Sequence, residues 1–193
     1  IERAVDALKN QDVAAAQRIV AEDQMINNLR YDVERMCVAI IATQQPVASD
    51  LRTVIAVTHV AVELERMADH AAGIATLVTR MADEPLLKPL IDIPRMARVT
   101  QEMLRASIRA FMDNDLETAR RVIERDDEVD QLYTQVFREL LTYMLQNPRN
   151  IKRATYLLWV AHGLERIADR VTNIGERIIF MRTGYLKGEE EDA

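Results

Sequence analysis

Two carboxylates recur in this sequence in the same setting. Residues 62–76 read VELERMADHAAGIAT and residues 162–176 read HGLERIADRVTNIGE, so Glu65 and Asp69 are matched by Glu165 and Asp169 one hundred residues later. Residues four apart lie one turn above each other, so each pair shares one face of a helix. The neighbours three or four residues away include Ala61, Val62, Ala68 and Ala72 for the first pair, and Ala161, His162, Ala168 and Thr172 for the second. Anions on such a face lose hydration, and burying an unpaired carboxylate is costly. Something cationic must face them, either an arginine from another helix or a metal ion.

A second acidic pair strengthens the metal reading. Asp126 and Asp130 are also four apart, and Asp23 and Asn27 occupy the matching places in the first half. If the helix that carries them packs beside the helix of the first motif, each half brings four oxygen-bearing side chains into one groove. Carboxylate-rich, all-oxygen sets suit hard cations such as Mg²⁺, Mn²⁺, Ca²⁺ or iron, and no Cys–His constellation points to structural zinc. The opposing reading is an arginine-paired or solvated acidic face. Arg66 and Arg166 follow each Glu, and Arg35, Arg125 and Arg138 are further candidates to reach across. Repetition and the apolar setting favour the metal. His162 stands three residues before Glu165, but Val62 takes its place in the first half; His59 and His70 are matched by Trp159 and Arg170. The histidines therefore read as ordinary bundle residues, and the nine Met as core filler.

Helices must position these groups. The chain has 193 residues, 49% of them hydrophobic, with only 5 Gly and 5 Pro. That composition gives long helices and a buried core rather than a disordered chain. Asp12 and Asp115 stand where N-caps belong, Asp50 and Asn150 are candidate caps, and Pro46 and Pro148 interrupt long helical patterns. The stretch ADEPLLKPLIDIP, with Pro85, Pro89 and Pro94, is the one linker-like segment. Six helices follow, at about 1–10, 12–44, 50–82, 93–113, 115–146 and 150–183. Ala16–Leu29 (AQRIVAEDQMINNL) lies over Ala119–Leu132 (ARRVIERDDEVDQL) at a shift of 103, and LERMAD over LERIAD at a shift of 100. The predicted fold is all-α: two tandem three-helix bundles, 1–83 and 92–184, related by an internal repeat.

Charge and cysteine content narrow the function classes. A net charge of −6 without a basic, aromatic-interleaved run argues against nucleic-acid binding. The single Cys37 excludes an intramolecular disulfide and fits a reducing, cytoplasmic compartment. Uncharged segments such as Thr53–Val62 and Thr155–Leu164 run about ten residues, short of the ~20 that span a bilayer. The chain opens on Ile1 inside a helical pattern, which leads us to expect further residues upstream. The closing GEEEDA reads as a solvated acidic tail. No Gly-rich phosphate cradle, nucleophile elbow or H-E-x-x-H motif is present, so no enzyme signature is expected.

The runs ERMADHAAGIA, ERIADRVTNIGE and DDEVDQLY, with the linker EPLLKPLIDIPRMARVTQEML, closely resemble the PhoU family of bacterial and archaeal phosphate-signalling proteins. The resemblance spans essentially the whole chain. It implies the same tandem-bundle fold and metal binding through Glu65, Asp69, Asp126, Asp130, Glu165 and Asp169, together with Asp23. The metal it implies is iron, Mn, Mg or Zn. Asn27 departs from the acidic pattern, and Asn173 is matched only by Gly73, which makes the second half the better-ligated one. The implied role is a regulatory adaptor, attached to the membrane only through its partners. It would couple the ATPase subunit of a phosphate ABC transporter to a phosphate-sensing histidine kinase, limit uptake and hold starvation genes off. Extended helix faces make a homodimer an expectation. Two alternatives compete: a carboxylate-bridged di-iron enzyme, disfavoured because no Glu has a His three residues later, and a metal-free structural adaptor.

Overall fold

The computed structural model describes residues 1–185, which form seven α-helices and one short 3₁₀ turn, with no strand among the described residues. The acidic GEEEDA run lies outside them. Helix α1 (Glu2–Asn10) leads into the long α2 (Val13–Gln44), and α3 (Ala48–Met81) returns along it. The Pro-rich linker then carries the chain to α4 (Asp92–Asp113), α5 (Leu116–Glu124) and α6 (Asp126–Gln146). After the 3₁₀ turn Pro148–Asn150, α7 (Ile151–Thr183) closes the second bundle.

The same cap opens the second limb of each half. Asp12 Oδ1 accepts the Ala15 amide at 2.8 Å, and Asp115 Oδ1 accepts the Thr118 amide at 3.0 Å. Each carboxylate satisfies an amide that the first helical turn leaves without a partner. The other two expected caps are corrected. Helix α3 starts at Ala48, so Asp50 lies inside its first turn and does not cap it. Asn150 donates its side-chain amide to Tyr143 O at 3.1 Å, while Asn147 accepts the Arg149 amide at 3.0 Å.

The single helix expected over 115–146 is also corrected, because it breaks at Arg125 into α5 and α6. There the Glu128 amide bonds Arg125 O at 3.1 Å, a tightened turn, and the Arg125 side chain is drawn to Glu102 of α4 at 2.5 Å. No Pro or Gly marks the break, so the apolar period runs through it without interruption.

Helix α7 packs against α4, α5 and α6 within its own bundle and against α3 across the middle of the molecule. Helix α3 packs against α1 and α2. The α3–α7 seam is close: a Cβ at Gly163 would lie 3.1 Å from Ile74 Cγ1. Helix α5 presses still harder on α7, since a Cβ at Gly175 would come within 2.8 Å of Ile123 Cγ1 and 3.2 Å of Ala119 O. Leu29 of α2 is 53% exposed, whereas its repeat partner Leu132 is 4% exposed. The reading of all Met as core is also corrected: Met67, Met96 and Met103 are buried, but Met25 and Met36 on α2 and Met112 on α4 face outward.

Two stability differences follow. Leu132→Ala should cost about 2–5 kcal/mol and Leu29→Ala under about 1 kcal/mol in urea unfolding. Gly175→Ala should lower stability by about 1–3 kcal/mol, because Ile123 and the α5 backbone must give way.

Candidate functional site

Helix α7 carries Glu165 and Asp169, and the first two turns of α6 carry Asp126 and Asp130. The α6–α7 contact places these four carboxylates in one electrostatic neighbourhood. Burial, then the charges of Asp130, Asp169 and Glu165, push the Asp126 carboxyl up to about 6. Burial and Asp169 raise Asp130 in the same way. Glu165 is raised by burial and Asp169, against the opposing pull of His162 and Arg166. Asp126 stands at the amino end of α6, where the helix dipole favours an anion; desolvation and like charge nevertheless prevail.

Little positive charge reaches this cluster. Arg166 Nη1 contacts Asp169 Oδ2 at 2.7 Å. His162 Nδ1 stands 3.2 Å from Glu165 Oε2, an ion pair only when the imidazole is protonated. Glu165 Oε2 is buried and accepts no hydrogen bond.

The first half is balanced differently. Glu65 is buried, and both Arg30 Nη1 and Arg66 Nε lie 3.6 Å from its carboxylate oxygens. Arg66 Nη1 also reaches Asp69 Oδ2 at 3.3 Å. Asp23 Oδ2 accepts from Asn27 Nδ2 at 3.3 Å, so Asn27 partners the aspartate whose pattern it interrupts. Asp23 Oδ1, Asn27 Oδ1 and Glu65 Oε2 remain buried without a hydrogen-bond partner.

The donors in both halves are oxygen atoms, and the second half sets one paired arginine, Arg166, against four carboxylates. The side chains are not gathered into a ligand cage: among the described residues, no three His, Cys, Asp or Glu groups converge closely enough to hold a metal ion.

Several partners escaped the sequence reading. Arg30 lies seven residues after Asp23, two turns along the same face of α2, and that spacing was its available signal. Of the arginines considered, Arg35 pairs with Asp32 on its own helix, and Arg125 pairs with Glu102 and Glu128. Arg138 shares a shallow groove with Asp130 and forms no ion pair among the described residues. A link across the halves was also missed: Glu63 of α3 receives Arg170 Nη1 at 3.5 Å and Asn173 Nδ2 at 3.2 Å from α7. No helix among the described residues is long and apolar enough to cross a membrane.

Comparison with known proteins bears on this arrangement. The PhoU domain matches residues 1–78 and 93–178. The phosphate-specific transport system accessory protein PhoU homolog of Aquifex aeolicus is 43% identical over 186 residues, covering 96% of this chain and 84% of that protein. Its counterpart in Caulobacter vibrioides is 41% identical, covering 93% and 79%. The crystal structure of PhoU from Pseudomonas aeruginosa superposes with a TM-score of 0.90 at 33% identity, over 95% of this chain and 88% of that one. The phosphate transport system regulatory protein PhoU from Streptococcus pneumoniae superposes at 0.88 with 31% identity, over 95% and 86%. Sequence match, repeat and helical architecture agree, and the chain belongs to the PhoU family.

Proposed function

We propose that this protein is a regulatory adaptor of phosphate transport, with 1–83 and 92–184 as its two functional units. It restrains phosphate uptake and starvation signalling by linking the ATPase subunit of the phosphate ABC transporter to a cytoplasmic sensor-kinase domain. The observation that carries this reading is family membership over nearly the whole chain, with relatives named as accessory or regulatory proteins rather than enzymes. Long solvent-facing helices supply docking area, and the proposed working form is a cytoplasmic homodimer.

Metal binding is the second element of the proposal. Asp126, Asp130, Glu165 and Asp169 would hold one divalent or trivalent metal ion, with iron, Mn, Mg or Zn as the candidates. Support comes from the desolvation of Asp126 and Glu165, the mutual repulsion of the carboxylates and a Glu165 oxygen that only the His162 imidazole approaches, at 3.2 Å. Side-chain rotation would have to draw the carboxylates onto the ion, which would add to the positive charge that Arg166 and a protonated His162 bring to Asp169 and Glu165. Asp23, Glu65 and Asp69 form a weaker first-half candidate, because Arg30 and Arg66 already face the two carboxylates of α3.

The adaptor role is tested genetically. Deleting the gene, in a strain without a second copy, should leave phosphate-starvation genes expressed in phosphate-rich medium, and membrane pull-downs should recover the transporter ATPase. Normal repression in that strain would overturn the proposal.

The two halves should respond oppositely to charge removal. Glu165→Gln with Asp169→Asn should abolish metal binding in the second half while leaving the metal-free melting temperature unchanged or higher. Glu65→Gln should instead lower stability by about 1 kcal/mol, because it strips a carboxylate from two arginines. A double amide variant that keeps its metal and melts lower would favour the arginine-paired reading.

The pH dependence has a defined sign. The Asp126 carboxyl titrates near 6 in the folded chain and near 3.9 when unfolded, so the folded state binds more protons between those values. The group's contribution to metal-free stability therefore worsens as pH rises through that window and improves on acidification. Asp126→Asn should flatten the dependence in chelator-treated protein, as read by melting between about pH 4 and 7. Metal affinity should fall over the same acid range, since the ion must displace the proton.

A further inference from the structure

Beside the contact of Gly163 with Ile74, α3 and α7 leave a groove of about 430 Å³. That volume lies within the range of small-ligand sites. The adaptor reading makes no use of this groove. Its lining combines an aromatic plate with cations, in a chain whose net charge is −6.

Trp159 is 49% exposed and is braced by Tyr156, with ring centroids 5.7 Å apart. Arg80 lines the same groove, and its side chain forms no ion pair or hydrogen bond among the described residues. Arg166 supplies a second guanidinium, of which Nη1 is held by Asp169 at 2.7 Å. His70 and His162 add nitrogen atoms to the wall. Asp69, the one carboxylate of the lining, is engaged by Arg66 at 3.3 Å.

Gly73 keeps the groove open. Glycine inside a helix costs about 1 kcal/mol relative to alanine. Packing does not require it here, because a Cβ at Gly73 would meet no heavy atom within 4 Å. The repeat position in α7 is Asn173, whose side chain is used in the Glu63 link. At Gly73, the missing side chain leaves space that the surrounding protein does not fill.

Guanidinium forks match phosphate oxygens in charge and geometry, and an indole face stacks against any nucleobase. We propose that this groove binds a mononucleotide, with its base on Trp159 and its phosphate at Arg80, about one turn along the α3–α7 seam from that indole. Inorganic phosphate would engage only the cationic end, and a nucleoside only the indole.

Calorimetric titration with AMP, adenosine and inorganic phosphate at matched ionic strength tests this directly. AMP should bind at least about tenfold more tightly than either fragment. Adenosine binding as tightly as AMP would overturn the phosphate contact, and phosphate binding as tightly as AMP would overturn the stacking. Absence of AMP binding at millimolar concentration would overturn the proposal as a whole. Gly73→Leu should fill the groove and weaken AMP by about tenfold or more, with melting unchanged or raised because leucine is the better helix former. Arg80→Ala should weaken AMP by about tenfold while leaving adenosine unaffected. Full AMP affinity in either variant would refute the assignment.

Discussion

Helix α7 is enclosed by α3 on one side and by α4, α5 and α6 on the others, so that Leu157, Leu164, Ile167 and Ile174 are all fully buried. Burying a large aliphatic side chain contributes about 1.5–3 kcal/mol, and a 33-residue helix carries many of them. The enclosure leaves only a narrow strip for polar groups. Glu165, Asp169, Arg170 and Asn173 occupy that strip, and each must find a partner inside the packing or remain incompletely solvated. Both the acidic cluster and the Glu63 link across the halves follow from this requirement.

The two repeats meet the same requirement by different chemistry. In the first half, Arg30 and Arg66 flank Glu65, and Asn27 donates to Asp23. In the second, α6 delivers Asp126 and Asp130 toward Glu165 and Asp169 without a matching arginine from α6. Arg125, at the helix break, points instead to Glu102 and Glu128. Like charges in a partly desolvated site raise one another's proton affinity, and a cation relieves that repulsion more completely than a proton shared among them. The halves repeat in sequence, while their electrostatics differ.

Close helix approach shapes the rest of the surface. Gly163 and Gly175 admit Ile74 and Ile123 to the α7 backbone, which fixes how α3 and α5 lie against it. Gly73, one turn along α3 from Asp69, has no such neighbour and opens a groove instead. The same residue type therefore serves packing at two positions and access at the third.

The helical class, the repeat, the Asp12 and Asp115 caps and the approximate helix ends were legible in the sequence, because each depends on contacts a few residues apart. An apolar residue every third or fourth position fixes which face is buried, and an aspartate before Val13 or Leu116 satisfies amides in the next turn. The acidic residues of the candidate site were legible too, since repetition marked their positions. Their balancing charges were not. Arg30 meets Glu65, Glu63 meets Arg170, and Arg125 turns away to Glu102 only once the helices pack, at sequence separations of 35, 107 and 23 residues. The break at Arg125 belongs with these, because no helix-breaking residue marks it and Arg125 there pairs with Glu102 of α4. Local period and capping are written along one chain; which cation faces which anion depends on the distance between helices, and that distance is set only by packing.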